Sequence, residues 1–98
     1  MRYRFCSPKE EFYDRGLLKA VVDENRGEYV WMGVKEEGEY KTVIYRSNST
    51  DTEIRCSRKI GGSFRYLVVT GYQREGVEKQ LEKFKIGFDK KQVMKTGN

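Results

Sequence analysis

The sequence predicts an α+β domain in which about five strands form a mainly antiparallel sheet, a meander followed by a hairpin, with a short N-terminal helix and a longer C-terminal one. Three observations point there. Ser7-Pro8-Lys9-Glu10 has the form of a helix-starting capping box, apolar residues alternate between closely spaced turns from Leu17 to Thr70, and Val77, Leu81 and Phe84 recur at helical spacing.

The first helix is expected over Pro8 to Arg15. Ser7 can accept from the Glu10 backbone, Pro8 suits a position that needs no N–H, and Gly16 suits the left-handed residue that ends a helix. "MRYRF" before it offers an edge strand.

A meander of Leu17 to Glu24, Glu28 to Lys35 and Tyr40 to Arg46 is expected next. A loop at Asn25-Arg26-Gly27 sets Val22 against Val30, Ala20 against Met32 and Leu18 against Val34. A turn at Glu37-Gly38 sets Met32 against Val43 and Val30 against Tyr45, on the same face. The opposite face then carries Tyr29, Trp31, Tyr40 and Arg46.

"SNSTD", Ser47 to Asp51, is a polar loop whose sequon Asn48-Ser49-Thr50 is read as chance, since no signal peptide precedes it. Strands over Thr52 to Ile60 and Ser63 to Thr70 follow, joined by Gly61-Gly62. Two registers fit. A two-residue turn aligns Arg55, Ser57 and Lys59 with Val68, Tyr66 and Phe64, giving an exposed basic and aromatic surface. A three-residue loop places Ile54, Cys56 and Ile60 with those residues instead, and binary patterning favours it. The last element is a helix over Arg74 to Ile86, stopped by Gly87, with Phe88 as an anchor and residues 89–98 as a frayed basic tail.

The 98 residues suffice for one small core and one domain. Runs such as "YLVV" fall far short of the ~20 apolar residues a membrane span needs, so a soluble, intracellular (cytoplasmic) protein is expected. Cys6 and Cys56 lack zinc spacing and are expected as two buried, unbonded thiols. Lys and Glu supply 22 residues against six Asn and Gln, a thermophile-like composition.

Function is narrowed mainly by what is absent. The chain has no histidine, which removes the commonest general base and metal ligand, and it has neither a Walker A sequence nor GxGxxG. Glu36, Glu37 and Glu39 cluster, but an exposed hairpin tip is a poor place to hold a metal in fixed geometry. No catalytic constellation, metal site or cofactor is expected, and the protein is read as non-enzymatic.

Charge is the positive signal. Met1 to Thr50 holds nine basic and nine acidic residues, whereas Asp51 to Asn98 holds eleven and six, so the whole net charge of +5 lies in the second half. That asymmetry fits a polyanionic partner, and nucleic acid, DNA or RNA, is the expected one, through Arg55, Arg58, Lys59, Arg65, Lys79 and Lys83. The alternative is a protein-interaction accessory module, of viral or mobile-element type, binding a protein partner or a second copy through Tyr29, Trp31, Tyr40 and Arg46.

Overall fold

Six strands form one antiparallel sheet in the computed structural model, which describes residues 2–7, 22–61 and 65–96, Arg65 by its backbone alone. In chain order they are β1 (Arg2–Cys6), β2 (Tyr29–Glu37), β3 (Tyr40–Ser47), β4 (Thr52–Lys59), β5 (Arg65–Gly71) and β6 (Val93–Thr96). Helix α1 (Arg74–Lys83) follows β5, and a short 3-10 turn over Lys90–Gln92 precedes β6. The spatial order is β2-β3-β4-β5-β1-β6. Consecutive hairpins thus build four strands, and the chain's first strand is then inserted between β5 and its last.

The α+β layout agrees with expectation, but three elements differ. Residues 22–24 are helical rather than the end of a strand, so Val22 does not pair with Val30, and β2 has only β3 beside it among the described residues. The turn at Asn25 to Glu28 joins that helical segment to β2, with the Glu28 N–H donating to the Asn25 carbonyl at 2.8 Å. "MRYRF" is not an edge strand, because β1 pairs with β5 and β6 on its two sides. Residues 93–96, expected in a frayed tail, form β6: Asp89 and Gln92 make a reciprocal capping box, and Val93 is buried opposite Phe5. The helix expected over Pro8 to Arg15 lies outside the described residues. Ser7, its expected cap, accepts from the Leu67 N–H at 2.8 Å.

The core lies on one face of the sheet. Ile54, Cys56, Leu67, Val69, Phe5 and Val93 point to it, and Val77, Leu81 and Phe84 of the C-terminal helical segment close over them. The helical stripe read from the sequence is therefore the one buried. Full burial of such side chains contributes about 1.5–3 kcal/mol each against the entropy of ordering the chain. Gly87 is not the stop. α1 ends with Lys85 in the left-handed region at φ 56, the Ile86 N–H donating to the Leu81 carbonyl and the Lys85 N–H to that of Glu82. Phe88 packs against the core as expected, as does Ile86.

Register decides which side chains share a face. Arg55 pairs with Val68 and Ser57 with Tyr66, the two-residue-turn alignment, so the register favoured by binary patterning is not the one adopted. The β2–β3 turn is Gly38-Glu39, with Gly38 at φ 59, and sets Val34 against Val43. A bulge then leaves Met32 unpaired between Trp31 and Gly33, and Gly33 takes φ 128. Beyond it, Trp31 faces Tyr45 and Tyr29 faces Ser47. The extra residue rotates Tyr29 onto the core face, where it is 7% exposed, and turns Val30 out. Cys6 and Cys56 are not disulfide-bonded, and Cys6 is exposed rather than buried.

Candidate nucleic-acid interface

Directly opposed residues of neighbouring antiparallel strands project to the same face. At the end of the sheet near the β4–β5 turn, Lys41 of β3 is opposite Arg58 of β4, and Arg58 is opposite Arg65 of β5. Three cationic positions thus run side by side across three strands. The nearest carboxylate in that row is Glu36, opposite Lys41 at its outer end. Like charges placed directly opposite work against sheet stability, and among the described residues no carboxylate stands between the three positions.

On the other face of the same end, Lys59 pairs with Tyr40, and the Tyr40 and Tyr66 rings meet edge to face at 5.4 Å. Lys59 reaches Glu39 at 3.5 Å, an exposed contact of the kind that contributes little. Lys41, Arg58 and Lys59 are half-buried.

Three of the six expected cations are therefore gathered here: Arg58 and Lys59 by their side chains, Arg65 by its backbone position. The others are not. Arg55 projects from the opposite face to Arg58 and is paired with Glu53. Lys79 is exposed on α1, and Lys83 sits at the far end of that helix against Glu28. Glu28 precedes Tyr29, whose row runs through Ser47 and Thr52, so about 20 Å of β4 separates it from Arg58 at ~3.3 Å per residue. Lys41 was missed because its place opposite Arg58 is set by the β3–β4 register, which the sequence reading did not assign.

Lys83 has a structural task. Its ammonium donates to Glu28 Oε2 and stands 5.8 Å from the Tyr29 ring centroid, while Ser47 and Ser49 donate to Glu28 Oε1 at 3.1 and 2.6 Å. Burial alone would raise the Glu28 pKa, but the bonds from Lys83, Ser49 and Ser47 outweigh it and hold the carboxyl at about 2, against an ordinary 4.5. Burial, with the Glu28 charge beside it, pushes the Tyr29 hydroxyl upward.

A pH dependence follows. A carboxyl whose pKa is depressed in the folded state adds stability above its unfolded pKa, and that stability is lost as pH falls from about 4.5 toward about 2. At neutral pH the contribution is on the order of 2–3 kcal/mol after allowance for partial exposure. Urea titrations across this range should show wild-type stability declining in that window. Glu28→Gln should be less stable at pH 7 and have a flatter acid limb. Parallel acid limbs in the two proteins would show that Glu28 is not the titrating group.

The residues of the alternative site are divided rather than joined. Tyr29 is in the core, donating its hydroxyl to Gln80, whereas Trp31 on the same face is 61% exposed at the sheet edge. Tyr40 and Arg46 project from the other face, and Arg46 is bound to Asp51. Among the described residues no group of three or more Cys, Asp or Glu is arranged to hold a metal, and no helix is long and apolar enough to cross a membrane. Compared with family models, curated proteins and solved structures, the chain matches none.

Proposed function

We propose that the protein is a non-enzymatic nucleic-acid-binding protein that contacts phosphates through Lys41, Arg58 and Arg65, with Lys59 on the opposite face of the same end of the sheet. The observation that carries this reading is the row of three cations in direct cross-strand register with no carboxylate between them. Such a row costs the sheet electrostatic energy, and a phosphate backbone is the partner that converts the cost into affinity by releasing counterions. On the opposite face of that end, the partly exposed Tyr40 and Tyr66 rings lie near Lys59 and offer surface on which bases of a strand passing round the end of the sheet can stack.

Anisotropy titrations with labelled single- and double-stranded DNA and RNA test the proposal. Binding at about 50 mM salt should weaken steeply by about 200 mM. Arg58→Gln and Lys41→Gln should each lower the salt slope by about one and weaken binding uniformly across sequences, while Lys79→Gln on α1 should leave both unchanged. Equal effects at Lys79 and Arg58 would reduce the affinity to diffuse net charge. No binding to any of the four nucleic acids at low salt would end the reading.

A second reading, the protein-interaction accessory module, is favoured by a different observation. Val30, Trp31, Met32 and Val34 are all exposed on β2, at the sheet's edge. Its anchor is Trp31, without the other three residues expected to share its surface.

A further inference from the structure

Trp31 shares a face of the sheet with the cationic row. Tyr45, Val43 and Lys41 alternate along β3 and so project together, with Trp31 opposite Tyr45, Val34 opposite Val43 and Arg58 opposite Lys41. Tyr45 and Lys41 are about 13 Å apart along the strand at ~3.3 Å per residue. The bulge at Met32 makes this arrangement. By strict alternation from Val34, Trp31 would fall on the opposite face, and the extra residue brings it, with Tyr29, onto this one. Burial in the core accounts for Tyr29, at 7% exposure, but not for Trp31, at 61%. α1 packs chiefly over β5 and β1, which leaves Trp31 and Val34 exposed beside it.

We infer that the ligand of the cationic row is a single strand of nucleic acid, with its phosphates on Lys41, Arg58 and Arg65 and an unpaired base stacked on Trp31. The inference rests on the first reading above, that the row binds phosphates, and names the form of nucleic acid it takes. Two observations select a single strand. The first is the pairing of an aromatic strip with a cationic row on one face. Between Trp31 and Lys41 that face carries Tyr45, Val34 and Val43, none of them charged, and the cations begin where the strip ends. A single strand presents both matching parts, base faces free to lie on an indole and a backbone of phosphates beside them. In a duplex the base faces are stacked on one another and only the edges are open.

The second observation is electrostatic. The major groove of a duplex admits a helix or a two-stranded ribbon. The ribbon next to the row is the β2–β3 hairpin, and Glu36, Glu37 and Glu39 are all exposed around its turn at Gly38. Set into a groove, those carboxylates would meet the phosphates of both strands. A single strand lying across the sheet face, from Trp31 toward Arg58 and Arg65, has no second backbone to bring against them. The contact is therefore with the face of the sheet and not with the tip of the hairpin.

Anisotropy titrations of the full chain at about 50 mM salt test this, with labelled oligothymidine, oligouridine and a duplex, each about 12 nucleotides or base pairs long. At least one of the single strands should bind roughly tenfold more tightly than the duplex, the arm that does so distinguishing DNA from RNA. The same strand should quench the emission of Trp31, the sole tryptophan. Trp31→Ala should weaken its binding roughly fivefold or more with the salt slope and far-UV circular dichroism unchanged, and Trp31→Phe should keep most of the affinity. Arg58→Gln should lower the salt slope by about one with or without Trp31. A duplex bound as tightly as the single strands, or single-strand binding indifferent to Trp31→Ala, would overturn the inference, and the phosphate row would stand wherever Arg58→Gln still lowers the slope. No binding to any of the three would end both. Trp31 emission that iodide quenches but bound nucleic acid does not would also overturn it, leaving the β2 edge to a protein partner.

Discussion

Replacing Gln80 with leucine is expected to destabilise the fold by about 3 kcal/mol, although the side chains are close in volume and no cavity opens. Gln80 is fully buried on α1 and serves as the junction between the helix and the sheet. Its amide nitrogen donates to Ser47 Oγ at 3.1 Å and Thr50 Oγ1 at 2.9 Å, and its carbonyl accepts from the Tyr29 hydroxyl at 2.5 Å. Leucine satisfies none of these groups, and stranding a buried polar group costs ~1–3 kcal/mol. A domain of this size should then melt roughly 10–20 °C lower. Tyr29→Phe removes the hydroxyl that Gln80→Leu strands, so the double variant should lose less than the sum of the single ones. A fall of only ~2 °C in Gln80→Leu would mean that water or rearranged hydroxyls satisfy the network.

Gly76→Ala is expected to destabilise by about 2 kcal/mol, opposite in sign to what helix propensity alone predicts. In an exposed helix the exchange stabilises by about 1 kcal/mol. Here a Cβ would lie 2.9 Å from the Thr50 carbonyl oxygen and 3.3 Å from the Thr50 Cβ. The first of these is backbone, and Thr50 is also held by bonds to Ser47, Thr52 and Gln80. The loop gives way poorly, so α1 must lift, which loosens Val77 and Leu81 beneath it; overpacking of this kind costs ~1–3 kcal/mol. Gly87→Ala provides the contrast, since its Cβ would meet nothing within 4 Å and should be neutral or stabilising by a few tenths of a kcal/mol. Chemical denaturation of both variants reads the difference. Equal midpoints would show that the helix–loop contact is looser than its distances imply.

What could be read from the sequence was local, and what could not depended on partners far along the chain. The alternation that marks β2 to β5 and the Val77, Leu81, Phe84 stripe of the C-terminal helix are properties of short windows, and both are present in the fold. Tyr29 was misplaced by a single residue. Strand alternation carries no sign of the bulge at Met32, and one unpaired residue exchanges the two faces for everything before it. Gly33 was the available signal, since an isolated glycine inside a strand pattern often marks a bulge.

The cationic row was lost in a similar way. Arg58 and Arg65 were both named, but binary patterning argued against the alignment that sets them side by side, and Lys41 joins them through the β3–β4 register, which was not assigned from the sequence. The tail was misread because "VMKT" is too short and too basic to look like a strand until Phe5 and Arg4 are there to receive it.

The insertion of β1 between β5 and β6 has a consequence for how the chain is made. β1 stands near the start of this sequence, whereas its neighbours lie far along it, β5 ending at Gly71 and β6 beginning only at Val93. The four hairpin-linked strands need only local loops to close and are expected to form as they are synthesised. β1 enters the sheet by a long-range step, first against β5 and then against β6, which seals it last. A nascent chain arrested before Val93 would hold Phe5 against an open edge, so sensitivity to protease and to chaperone binding should persist until those closing residues leave the exit tunnel.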